Sequence, residues 1–204
     1  MFAALADLKI RTQITAAFGF VLLLTIGLGV FATQRLAEVN VAAENMRQSW
    51  LPATRALGDY SFHTMRFRQI EAAALLAVTP EQAAKEASTL KTVAESAQQA
   101  WTDFQKATVS DEVSALSGRI EAGWRNYLEL DQKMLDMIAG GDRKAAYASY
   151  VGNMRGGYNG WRDVVVKDID LQIRGATKAG QDGQQAYDSG RFWIYIALAI
   201  AATL

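Results

Sequence analysis

The chain has 204 residues, a formal net charge of zero, 50% hydrophobic residues and no cysteine. Balanced charge argues against a nucleic-acid partner, because there is no basic excess to neutralise phosphates. Without cysteine there are no disulfides and no thiolate metal sites, and only Pro52 and Pro80 stand in the way of long helices.

The first predicted element lies between Arg11 and Arg35, where TQITAAFGFVLLLTIGLGVFATQ carries no charge. About 20 apolar residues cross a hydrocarbon core, so residues 12–34 are predicted to be a transmembrane helix. A cleaved signal peptide is the rival reading, but its apolar region would be shorter and would end at a small-residue cleavage site. Here the apolar run continues to Phe31 and passes without a break into a helical pattern. Lys9 and Arg11 flank the N-terminal side, so the positive-inside rule makes residues 1–11 a cytoplasmic tail and puts residues 35–191 in the periplasm, outside the inner membrane.

Four periodic segments follow, each stepping by three and four residues. The first runs through Leu36, Val39, Ala43, Met46, Trp50, Ala53, Leu57, Tyr60, Thr64 and Phe67. The second takes Ala83, Ala87, Leu90, Ala94, Ala97, Trp101 and Phe104, and the third Val113, Leu116, Ile120, Tyr127, Leu130, Met134 and Met137. The fourth is broader, with Tyr147, Tyr150, Met154, Trp161, Val164 and Leu171. Pro52 is expected to kink the first segment. Thr79-Pro80-Glu81-Gln82 reads as a capping box opening the second, Ser110-Asp111-Glu112 as the start of the third, and Gly140-Gly141-Asp142 as the end of the third and cap of the fourth. Short connections make successive helices antiparallel neighbours. The predicted fold is all-α: an up-down-up-down four-helix bundle whose outer helices continue into transmembrane helices. The last element, FWIYIALAIAATL from Phe192, is too short to span and reads as the start of a second, truncated transmembrane helix over 192–204, with Phe192, Trp193 and Tyr195 as its interfacial aromatics.

A charged start and apolar first span, LKIRTQITAAFGFVLLL, a long helix with a Leu51-Pro52 step, four helices and a second apolar segment together resemble the sensor half of methyl-accepting chemotaxis proteins. The resemblance is to those with a four-helix-bundle ligand-binding domain, the class of the enteric aspartate and serine receptors. It implies a multi-pass inner-membrane receptor whose periplasmic domain is a homodimer or higher oligomer. It also implies a small-molecule effector bound near the tip, between the first and fourth helices of facing subunits.

No catalytic constellation is visible. There is no HExxH and no glycine-rich phosphate loop, and the single histidine, His63, cannot build a metal cluster. Neither enzyme activity nor a cofactor nor a metal is expected. Most cations have an acid three or four residues away, as Arg68 has Glu71 and Arg125 has Glu121, and such pairs read as solvated. Arg66, Arg119, Arg143, Lys144, Arg155 and Arg162 lack one, although Arg162 lies near Asp59 and could pair with it between helices. At about 1.5 Å per residue, Arg66 and Arg155 both sit roughly 15–20 Å from the tip turns, with Tyr60, His63, Asn153, Met154 and Tyr158 at similar levels.

The candidate ligand-binding residues are therefore Tyr60, His63, Arg66, Arg68, Asn153, Arg155 and Tyr158. Arg66 is the expected anchor for an organic acid or amino acid, because guanidinium grips carboxylate bidentately. The plainer alternatives stand beside it: Arg66 snorkelling along the bundle surface, Tyr60 and His63 as packed core. The same bundle would also suit the input domain of a sensor histidine kinase, or a membrane-anchored bundle that senses nothing. A HAMP domain leading to a methylatable coiled coil or to a kinase would separate these.

Overall fold

A computed structural model of the chain describes residues 10–107 and 111–203. All described elements are helical: α1 Ile10–Asn45, α2 Leu51–Leu76, α3 Pro80–Ala107, α4 Asp111–Ala139, α5 Arg143–Ser149 and α6 Arg155–Thr203. Single π-helical turns occupy Met46–Trp50 and Tyr150–Met154. The residues fall into two compact units, Met1–Met46 with Thr177–Leu204, and Arg47–Ala176.

In the first unit, α1 buries none of its residues. Its large apolar side chains, Ile14, Phe18, Leu22, Leu23 and Ile26 among them, point outward on every side. Such a helix is suited to a hydrocarbon solvent, and it is long and apolar enough to cross a membrane. Its hydroxyls are satisfied within the helix, Thr15 donating to the Arg11 carbonyl at 2.9 Å and Thr25 to the Val21 carbonyl at 2.8 Å. α1 and the end of α6 approach closely at small residues: a Cβ on Gly183 would lie 3.1 Å from the Ala42 Cβ.

The second unit is the four-helix bundle. α2 contributes Ala53, Leu57, Tyr60, Thr64, Phe67, Glu71 and Ala74 to the interior, in unbroken steps of three and four. α3 adds Leu90, Val93, Ala97, Trp101 and Phe104. Tyr60, Trp101, Trp124 and Trp161 meet at one level, with ring centroids 5.1 to 6.4 Å apart. The Trp161 indole N–H donates to the Ile120 carbonyl at 2.9 Å, whereas that of Trp101 is buried without a partner.

The turns are built as their residues dictate. Gln82 N–H donates to the Thr79 hydroxyl at 3.2 Å, and the Gln82 side chain accepts from Val78 N–H at 3.0 Å, one residue before the usual capping-box position. α4 ends with Gly141 at φ +84°, a conformation glycine adopts freely, and Asp142 N–H donates back to the Met137 carbonyl at 2.9 Å. The Asp142 carboxylate then accepts from Ala145 N–H at 3.0 Å and caps α5. Ser110 of the expected third cap lies outside the described residues.

Three sequence expectations need correction. A π-helical turn sits immediately ahead of Pro52, where a kink was expected: widening the turn accommodates a residue that has no N–H to give. The fourth helix is interrupted at Tyr150–Met154, where Gly152 leaves helical geometry at φ −98°, ψ −108°. The inner faces of α4 and α6 also differ. Asp131 and Ile138 are buried while Leu130 and Met137 are only partly so, and Tyr147 is exposed. Ala146, Val165, Asp168 and Gln172 take the inner positions expected of apolar neighbours.

Candidate functional site

The candidate residues divide between the surface and the interior. Arg66 is exposed on α2, between the buried Thr64 and Phe67, and beside the outward-facing apolar side chains of Phe62 and Met65. Arg155, at the start of α6, is exposed as well. Among the described residues no ion pair reaches either arginine, and no hydrogen bond joins Arg66 to Asn153, Arg155 or Tyr158. His63 is half-buried, its ring edge against Phe62 at 5.4 Å and its Nδ1 closed off without a hydrogen-bond partner.

The other four are engaged by the bundle's own groups, although Asn153 is exposed. Tyr60 is 1% exposed and lies in the aromatic layer, out of reach of a surface ligand. Asn153 serves the π turn, its side-chain oxygen accepting from Ser149 Oγ at 3.0 Å and from Met154 N–H at 2.9 Å. The Tyr158 ring lies 5.5 Å from both Tyr127 and Trp161.

Arg68 has the expected partner in Glu71, at 3.2 Å, but the pair is not solvated: the two side chains are 14% and 0% exposed. The guanidinium also donates to the Tyr127 hydroxyl at 2.7 Å and to the Tyr150 carbonyl at 2.8 Å, and lies 3.7 Å from the Tyr150 ring centroid. Tyr150 returns a bond from its hydroxyl to the Arg68 carbonyl at 3.1 Å. One arginine thus ties α2 to α4 and to the π turn ahead of α6.

Behind Arg68 lie two carboxyls that sequence reasoning did not single out. Glu71 Oε2 accepts from the Tyr127 hydroxyl at 2.5 Å. Its Oε1 is buried without a hydrogen-bond partner, and so is Oδ1 of Asp131, and each carboxyl influences the proton affinity of the other. Two buried carboxylates close together repel, so the pair favours holding a proton. Burial, and after it the neighbouring Asp131, pushes Glu71 up to about 8, against the Tyr127 hydrogen bond and Arg68. Burial pushes Asp131 up to about 6. Burial thus favours a protonated form of the pair, and Arg68 stands beside Glu71 to balance the charge when it ionises. Burial raises Tyr127 as well, with Glu71 adding to it, so its hydroxyl stays a donor.

Other cations also find places the sequence did not foretell. Arg143 donates to the Leu75 carbonyl at 2.8 Å and closes the end of α2, so it is not simply solvated at the tip. Arg162 pairs with Asp163 at 3.9 Å rather than with Asp59, whose partner is Arg55 at 3.9 Å. Hollows open on the bundle between its described residues. One of about 470 Å³ lies between α4 and α6 beside Arg119, Gly123 and Trp161. Another, about 1000 Å³, lies among α2, α3 and α4, with Asp131 in its wall and Lys91 and Arg143 beside it.

The four-helix arrangement has a counterpart among known families. The model of the four helix bundle sensory module for signal transduction matches residues 7–187. The chain belongs to that family. No curated protein matches it. The Arg68 cluster joins α2, α4 and the π turn within that module.

Proposed function

We propose that this sensory module is the extracytoplasmic input of a transmembrane chemoreceptor, and that it works by binding a small organic acid or amino acid without transforming it. The apolar α1, flanked by Lys9 and Arg11 on its N-terminal side, supports anchoring in a bacterial inner membrane with the bundle in the periplasm. The observation that carries the effector class is Arg66: a solvent-facing guanidinium without an ion pair among the described residues, beside exposed Phe62 and Met65. A second copy packed on that apolar face would half-bury the guanidinium, and a carboxylate gripping it would relieve the cost of that burial. Arg155 serves as an auxiliary cation and His63 as a donor when protonated; Arg68 stays with its internal partners.

Titration calorimetry of the full chain in detergent micelles tests this, with L-aspartate, L-malate and succinate as probes. Arg66→Ala should weaken whichever probe binds by roughly a hundredfold, about 2–3 kcal/mol, at unchanged helicity. Unchanged affinity in Arg66→Ala, or no binding of any carboxylate to the unmodified chain, would overturn the assignment.

A further inference from the structure

We infer that Glu71 and Asp131 form a proton-binding site in the interior of the bundle, so that external protons are an effector of this sensory module in their own right. The inference goes beyond the anion site: it needs neither Arg66 nor a second copy.

The geometry comes first. Glu71 on α2 and Asp131 on α4 each bury one oxygen without a hydrogen-bond partner, Oε1 and Oδ1, and the two carboxyls are close enough to act on each other's charge, so a shared proton would satisfy both. That proton has a way out, because Asp131 lines the hollow of about 1000 Å³ among α2, α3 and α4. The outer oxygen of Glu71 is tied through Tyr127 and Arg68 to the Tyr150 carbonyl in the π turn. The site therefore touches the one place where the fourth helix of the bundle is interrupted.

The charges facing the pair can be taken element by element. α2 supplies Arg68, α4 supplies Tyr127, the π turn supplies Tyr150 and α6 supplies Tyr158. On the shared hollow α3 offers Lys91, α4 Asp136 and α5 Arg143. When the proton leaves Glu71 for water, two carboxylates stand side by side against a single inward guanidinium. Their repulsion, in a largely buried site, favours any movement that separates α2 from α4 or draws Arg68 toward the carboxylates and off the Tyr150 carbonyl. Either movement loosens the π turn.

The direction with pH follows from linkage. Both carboxyls bind protons more tightly folded than unfolded, since burial lifts Glu71 to about 8 and Asp131 to about 6. The contribution of the protonated pair is complete at low pH, where unfolded carboxyls are also protonated. It is lost as pH rises through 6 to 8, by up to about tenfold in the opening equilibrium per pH unit for each proton.

The test is hydrogen exchange of the full chain in detergent micelles between pH 5 and 9, expressed as protection factors so that the intrinsic pH dependence of exchange is removed. Amides of Tyr150–Met154 should lose protection by at least about tenfold over this range, while those of Leu90–Phe104 in α3 change far less. Glu71→Gln, which keeps the shape and puts an amide donor where the proton was, should hold Tyr150–Met154 protected throughout. Arg66→Ala should behave as the unmodified chain does, which separates this site from the anion site. If Glu71→Gln does not fold, Asp131→Asn reads the same site: without the neighbouring anion, Glu71 should release its proton at lower pH and the loss of protection should move down with it. Constant protection in the unmodified chain, the same loss in Glu71→Gln, or an unmoved midpoint in Asp131→Asn would each overturn the inference.

Discussion

The hydroxyl of Tyr127 stands between Glu71 and Arg68, donating to the carboxyl and accepting from the guanidinium. Tyr127→Phe removes both bonds at a site 1% exposed, where no water can stand in. A loss of about 1–3 kcal/mol is expected in urea denaturation. The loss should be larger at pH 9 than at pH 6, because Tyr127 supports the ionised form of Glu71 more than the neutral one. Arg68→Ala should cost more, about 3 kcal/mol or above, with the same sense of pH dependence, since it strips a buried acid of its cation. Arg66→Ala, two residues away and exposed, should change stability by no more than about 0.5 kcal/mol. If the two arginines prove equally costly to remove, the division into an inner and an outer one is wrong. Part of that division was legible beforehand. The α2 steps that lead from Leu57 through Tyr60, Thr64 and Phe67 land next on Glu71, so its burial follows from the spacing. Asp131 was less so: Leu130 beside it is the natural apolar choice, and what draws the acid inward is its partner Glu71, 60 residues away in sequence.

α4 shows how one helix holds glycines of opposite consequence. A Cβ on Gly123 would lie 2.7 Å from Trp161 Cδ1, whereas one on Gly118 would meet nothing within 4 Å. Gly123→Ala should therefore destabilise by about 1–3 kcal/mol through overpacking. Gly118→Ala should stabilise by up to about 1 kcal/mol through helix propensity. Thermal melts of the two variants decide this, and a shift of the same sign in both would sink the packing account. Helix existence and order could be read from periodicity and turn chemistry, as the Thr79 and Asp142 caps illustrate. The π turns could not, because widening a turn changes hydrogen-bond register without changing which residue types appear.

For the whole molecule, the exposed apolar residues of α2 matter most. Leu51, Phe62, Met65 and Leu76 are each more than half exposed. They lie along the helix beside Arg66, as an isologous contact between two copies would require. The proposed dimer should be weak alone and tightened by a carboxylate held in the groove, since a ligand that favours the dimer shifts association by mass action. Sedimentation of the full chain in micelles, with and without a carboxylate shown to bind, measures it; an association constant unmoved at saturation would refute a shared site.

The π turn at Tyr150–Met154 has a consequence for the history of the chain. Ala146, Tyr150, Met154 and Tyr158 follow one another in three successive steps of four. In a regular helix at about 100° per residue, 12 residues would carry Tyr158 about 120° away from Ala146. A π turn takes up one residue, and the remaining 11 bring the two back to within about 20°. Such a turn is what a single-codon insertion leaves behind when the packed faces on both sides are kept. Deleting Gly152 should accordingly restore a regular helix with both faces still inward, and a bundle that folds but has lost the seat of the Tyr150 carbonyl. The same deletion in the middle of α3 would turn every later side chain of that helix by about 100° and leave no fold to recover.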